Sequence, residues 1–266
     1  MHDTSSTPNL HIDGGVATIV LNRPDQRNRL ENQDLDTLLS HFDAIEANTQ
    51  VHLLVITANT QGQPKPIFCS GYDITGFEED PLRANAFETV PERLMRLRPV
   101  TLCALNGSVY GGATDLVLAC DLRMGLQGIE WRMPATALGL HFYPSGLRRY
   151  MSQFGTAATQ RAFLTARPLR DEQLQALGLF EGFYPASQWD ATLKALITDV
   201  LSLSPSAVQA TKRSLVEMSM GEISDEHLRE RADQSALSED FAEGRRAFAQ
   251  RRKQRLQPND EFAKVL

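Results

Sequence analysis

Cysteine is scarce in this chain of 266 residues: Cys69, Cys103 and Cys120 are all there is. Three widely spaced thiols, odd in number and flanked by apolar residues, give neither a disulfide framework nor a CxxC zinc pattern. Excess positive charge is also missing, since 27 Lys and Arg stand against 33 Asp and Glu, a formal charge of -6. Such a chain lacks the concentrated basic face that gripping nucleic acid phosphates requires. No apolar run approaches the ~18 residues of a membrane-spanning helix. The opening MHDTSSTPNL has neither the basic start nor the apolar core of a secretory leader. These absences together predict a cytoplasmic protein without membrane or nucleic acid partners. Three catalytic signatures are absent as well. There is no GxxxxGK[ST] loop, Gly107, Gly111 and Gly112 do not match GxGxxG, and no GxSxG elbow occurs. ATP hydrolysis, dinucleotide binding and elbow-type serine hydrolysis are thereby disfavoured.

What is present is ordinary globular composition, 42% hydrophobic and 23% charged, enough for one large domain or two smaller ones. Val16–Leu21 and the nearly continuous apolar run His52–Thr57 (HLLVIT) predict strands, the second covered on both faces. Between them, Leu35, Leu38, Leu39, Phe42 and Ile45 recur at helical spacing. Strand patterns at Ile67–Ile74 and Val100–Leu105, with a helix around Pro91–Leu97 between them, continue an α/β alternation with a mostly parallel sheet. From about Gly155 the texture becomes helical: 157–164, 171–177, 189–203, 206–218, 225–237 and 240–255 all read as helices. Helices with so much apolar surface and so few strands to lie on predict contacts with another subunit.

Two segments point to chemistry. Asn106–Asp121 (NGSVYGGATDLVLACD) is a strand end, a glycine turn and a short apolar helix starting near Gly112. Free N–H groups and about half a positive charge gather at such a helix start, where an oxygen becoming negative is stabilised. Ser70-Gly71-Tyr72-Asp73 is a second glycine turn directly after an apolar strand. Ligands of open α/β sheets bind beyond the carboxyl ends of strands. Two such turns on neighbouring strands could therefore offer two backbone N–H groups to one oxygen. The bland alternative is that the glycines only permit close packing.

LNRPDQRN, FCSGYDI, NGSVYGGATDLVLACD and FAEGRRAFAQRRK, in this order, resemble the crotonase (enoyl-CoA hydratase/isomerase) superfamily over about residues 10 to 256. The resemblance implies an α/β fold, a spiral of ββα units over residues 1–200, with a helical trimerisation region over 201–266. It implies a homotrimer or dimer of trimers and an acyl-CoA substrate, with no cofactor beyond that coenzyme A and no metal. The oxyanion-holding amides fall on Tyr72 and Gly112. Asp115 occupies the position of one hydratase glutamate, and Ala135, which cannot transfer a proton, occupies the other. Glu130 lies five residues too early to substitute, leaving His141 and Tyr143 as candidate proton donors. GSVYGGA, MPxxxLG and SEDFAEGRRAF are locally similar to methylmalonyl-CoA decarboxylase, although that enzyme's SGHD histidine is Tyr72 here and its pocket tyrosine aligns with Phe142.

For coenzyme A, the resemblance implies Arg27 near the phosphates and Ser70, Tyr72 and Ile74 along the adenine and pantetheine path. Arg251, Arg252 and Lys253 are further cations that could reach the nucleotide. A solvated basic face is the bland reading of each cation. The stretch 81–98 is expected to cover the acyl pocket. Three functions follow as expectations: an enolate-stabilising acyl-CoA enzyme of the hydratase/isomerase kind, a decarboxylase or C–C lyase on a malonyl-type acyl-CoA, and a non-catalytic CoA-thioester-binding protein.

Overall fold

The computed structural model describes residues 6–75 and 84–252. Strands β1 (Asn9–Asp13) and β2 (Val16–Leu21) form a hairpin, and helix α1 (Asn32–Ala47) follows. A two-part rhythm then sets in. β3 (Leu53–Ala58) is followed by β4 (Ile67–Cys69) and helix α2 (Ala84–Met95). β5 (Val100–Leu105) is followed by β6 (Ser108–Tyr110) and α3 (Gly112–Leu118), and β7 (Leu122–Leu126) by β8 (Glu130–Arg132) and α4 (Pro144–Thr165). The first strand of each unit joins a six-stranded sheet ordered β1-β2-β3-β5-β7-β10, and the second joins a four-stranded sheet ordered β4-β6-β8-β9. β9 (Leu169–Arg170), α5 (Asp171–Ala176) and β10 (Phe183–Tyr184) complete the sheets. Pairing is parallel throughout the ββα units, which is the ββα spiral.

Strand alternation explains why both faces of β3 are apolar. Leu54 and Ile56 pack into the main core with Leu38, Phe42 and Ile45 of α1. Leu53 and Val55 face the other way, with Leu102 and Met124, against Trp189, Leu193, Leu196 and Val200. Those last residues belong to α6 (Ala186–Leu201). The apolar face of α6 thus packs on the sheet of its own chain. α7 (Pro205–Met220), α8 (Asp225–Ala236) and α9 (Glu239–Ala249) follow. Each starts where a serine hydroxyl (Ser204, Ser224 or Ser238) accepts an N–H of the first turn. Leu215, Met218, Leu237, Phe241 and Phe248 of this region are exposed. No helix among the described residues is long and apolar enough to cross a membrane.

Three boundaries differ from expectation. α2 begins seven residues before Pro91 and carries that proline inside it, because burial of Phe87, Val90 and Leu94 on one face outweighs the single lost hydrogen bond. α4 starts at Pro144 and continues through Gly155, which leaves helical geometry at φ 70 and ψ 169. The helix expected over 157–164 is therefore only its second stretch. α9 stops at Ala249, where Gln250 caps it and Arg251 turns left-handed at φ 51. Arg251 and Arg252 thus follow the last helix rather than ride on it.

Candidate functional site

β4 and β6 lie side by side, Cys69 opposite Val109, so the turns that follow them meet. Gly71 has φ +105, and a Cβ there would stand 3.1 Å from the Tyr110 carbonyl oxygen and 3.6 Å from the Gly111 Cα. Gly111 has φ +58, and a Cβ there would stand 3.7 Å from the Gly71 Cα. Only glycine permits this approach and these dihedrals. A trans peptide directs its C=O and N–H oppositely, and the chain contains no cis peptide among the described residues. The Gly111 carbonyl accepts from the Thr114 amide at 3.0 Å and the Thr114 hydroxyl at 2.6 Å. The N–H of Gly112, in the same peptide, therefore points away from α3. The Gly71 carbonyl accepts from Leu30 N at 2.9 Å, which turns the Tyr72 N–H away from the 28–31 segment.

A buried relay fixes the first of these peptides. Trp131 Nε1 donates to Tyr150 Oη at 3.1 Å, Tyr150 Oη to Thr114 Oγ1 at 2.6 Å, and Thr114 Oγ1 to Gly111. The second is fixed by the loop after β2. Asn28, left-handed at φ 53 and almost fully buried, donates through Nδ2 to the carbonyls of Asn59 and Ile67. The Arg27 carbonyl accepts from Ser70 N, and Asp73 N donates to the Leu30 carbonyl.

Aromatic rings cover the junction. A Cβ on Gly112 would come within 2.9 Å of the Phe87 ring, and Phe87 lies 5.6 Å from the Tyr72 ring and 6.3 Å from the Tyr143 ring. The Tyr72 hydroxyl donates to Asn32 Oδ1 at the start of α1.

Asp115, fully buried on the first turn of α3, is engaged on both oxygens. Arg149 of α4 donates Nε to Oδ1 at 2.9 Å and Nη2 to Oδ2 at 3.0 Å, and Tyr143 Oη donates to Oδ2 at 2.7 Å. Burial, then the Asp115 charge and hydrogen bond, hold the Tyr143 hydroxyl well above the usual phenol range. Burial would lower the Arg149 guanidinium, but Asp115 more than reverses this and raises it. The phenol keeps its proton, and the carboxylate is committed as a fixed acceptor.

The other expected residues scatter. His141 is exposed, just before α4. Ala135 is buried at the start of a single 3-10 turn (Ala135–Leu138). Glu130 pairs with Arg170 at 3.0 Å. Arg27, Ser70, Tyr72 and Ile74 come together along the segment after β4, with Arg27 and Ile74 exposed. Arg251 is exposed, while Arg252 is held by Glu243 at 2.6 Å. Lys253 lies outside the described residues, as do 81–83 of the stretch expected over the acyl pocket. Among the described residues no group of three or more His, Cys, Asp or Glu could hold a metal.

Three residues of this cluster have no sequence motif to announce them. Arg149 is a buried arginine 34 positions from its partner. Phe87 reads as core. Glu88, on α2, accepts from the Ser145 amide at 3.1 Å and from the Ser145 hydroxyl, 57 positions away. The buried-charge rule for arginine is the one signal that could have raised Arg149.

Comparison with known proteins identifies the family and the fold. The family model for enoyl-CoA hydratase/isomerase matches residues 11–258. The chain is 28% identical over 245 residues to a 2,3-dehydroadipyl-CoA hydratase of Escherichia coli K12, covering 89% of this chain and 93% of the relative. It is 23% identical over 211 residues to a short-chain-enoyl-CoA hydratase of Clostridium acetobutylicum, covering 77% and 79%. A crystal structure of an enoyl-CoA hydratase/isomerase family protein from Hyphomonas neptunium superposes with a TM-score of 0.85 at 24% identity, over 96% of this chain and all of that one.

Proposed function

Since the chain belongs to the enoyl-CoA hydratase/isomerase family, we propose that it acts on an acyl-CoA thioester through an enolate whose oxygen is held by the amides of Tyr72 and Gly112. The observation that carries this reading is the contact of Gly71 with Gly111, with each following amide turned away from its own carbonyl's partner. Donors preset at about 3 Å from the oxygen would contribute roughly 3 kcal/mol each to lowering the barrier. Asp115 acts in this reading through position and charge: it fixes the Tyr143 hydroxyl and anchors α4 to the helix that begins at Gly112. His141, exposed and without a hydrogen bond among the described residues, has no such anchorage. Arg27, Ser70 and Ile74 would flank the coenzyme A, with Arg251 and Lys253 as further cations for its phosphates. The exposed apolar residues of α7 to α9 support assembly as a homotrimer or dimer of trimers, which light scattering would read.

Two-carboxylate hydration has little support, because Ala135 stands at one position and Asp115 is ion-paired at the other. This favours a second reading, decarboxylation or C–C cleavage of a malonyl-type acyl-CoA. There the departing group leaves its electron pair on the α-carbon, and no base is needed to form the enolate. A panel of acyl-CoA substrates read by mass spectrometry separates the two. Isomerised product from an unsaturated thioester supports the first reading, and carbon dioxide from methylmalonyl-CoA supports the second. Binding by calorimetry without turnover on the whole panel would sink both and leave a thioester-binding protein.

A further inference from the structure

The proposed enolate needs a base unless carbon dioxide leaves, and the carboxylates nearest the glycine turns are mostly committed. Asp115 has both oxygens bonded to Arg149 and Tyr143. Asp73 accepts from Thr75 through Oδ1 and faces Arg29 with Oδ2. Glu88 differs. It follows Phe87, whose ring lies on Gly112, and it bridges to Ser145, two residues beyond Tyr143. It is partly buried. Its Oε1 accepts both bonds from Ser145, while Oε2 makes none among the described residues. Glu92, one turn later on α2, lies instead in the field of Arg149.

We propose that Glu88 is the catalytic base of this site, exchanging the proton α to the thioester carbonyl. The inference rests on the enolate reading given above. As the Cα–H bond breaks, the proton passes to Glu88 Oε2, and the bonding pair moves through the carbonyl to the thioester oxygen beside the Tyr72 and Gly112 amides. Return of a proton from the Glu88 carboxyl to carbon regenerates the thioester, so no external reagent is consumed. Ser145 holds the carboxylate in place through Oε1 and leaves the other oxygen for this exchange.

The test is incorporation of deuterium at the α-carbon of vinylacetyl-CoA in heavy water, read by mass spectrometry, beside calorimetric binding of the same thioester. The wild-type enzyme exchanges. Glu88→Gln, which keeps an acceptor for Ser145, binds the thioester as before and exchanges about a hundredfold more slowly, the scale of a lost acid–base group. Glu92→Gln exchanges like the wild type. Glu88→Ala regains exchange when formate is supplied, a response that a merely structural role would not give. Wild-type exchange rates in Glu88→Gln, or no formate rescue, would overturn the assignment. Binding without exchange in the wild type would instead bring down the proton-abstracting form of the enolate reading on which the inference rests.

Discussion

Arg149 and Asp115 form a two-pronged ion pair, 2.9 and 3.0 Å long, closed off from solvent between α4 and α3. It joins the helix that starts at Gly112 to the helix that starts beside Tyr143. Removing one partner leaves the other charged and buried, at a cost of about 3–5 kcal/mol. Arg149→Met should therefore lower the denaturant midpoint strongly, and Asp115→Asn less, since the amide oxygen still accepts from Tyr143. An Arg149→Met protein that unfolds at the wild-type midpoint would show the pair to be dispensable.

At Gly71 an added methyl group strikes the turn that carries the Tyr72 amide. The Gly71 φ of +105 is poorly tolerated by other residues, and the Tyr110 carbonyl is backbone that cannot swing aside. Gly71→Ala should cost about 1–2 kcal/mol from the dihedral alone and reduce turnover by displacing the Tyr72 amide. Gly112→Ala meets the Phe87 ring instead, so Phe87→Ala in the same chain should relieve its packing defect. Thermal melts of the single and double variants check both statements.

The Trp131–Tyr150–Thr114 relay ends on the Gly111 carbonyl. Thr114→Val keeps the shape but strands the buried Tyr150 hydroxyl, a loss of roughly 1–3 kcal/mol. Because the relay orients the Gly112 peptide and does not touch coenzyme A in the proposed site, kcat should fall while KM for the thioester changes little. A change confined to KM would place the relay's influence elsewhere.

Alkaline pH should destabilise the protein. Burial pushes the Cys69 thiol up to about 12, and the Cys103 thiol and the Tyr143 and Tyr150 hydroxyls are also raised, burial being the leading cause of each. In the unfolded chain these groups ionise near ~8.5 for Cys and ~10 for Tyr. Below those values both states keep the proton and the full stability is present. Above them only the unfolded chain releases it, so stability falls with rising pH. Denaturation midpoints should decline steadily above about pH 8.5, and Cys69 and Cys103 should resist iodoacetamide in the native protein. A flat alkaline profile would contradict these directions.

The parts of the site readable in the sequence are those that backbone chemistry announces. Gly71, Gly111 and Gly112 stand where apolar strands end, and the apolar run of β3 declares a strand buried on both faces. The partners of Asp115 were not readable. An aspartate on a first helical turn looks the same whether it faces substrate or a buried guanidinium, and the answer depended on α4 folding back from 34 positions away. Glu88 was hidden for the same reason, its partner Ser145 lying 57 positions away. Burial also redrew α2: Pro91 marks a helix start by local preference, yet packing of Phe87 and Val90 carries the helix through it.

The infrared spectrum of a bound acyl-CoA, isotope-labelled at the thioester carbonyl, tests the central claim most directly. If the Tyr72 and Gly112 amides both hold that oxygen, the carbonyl stretch shifts to lower frequency than in water, and the shift shrinks in Gly71→Ala. A stretch at its aqueous frequency in the wild-type complex would contradict the account.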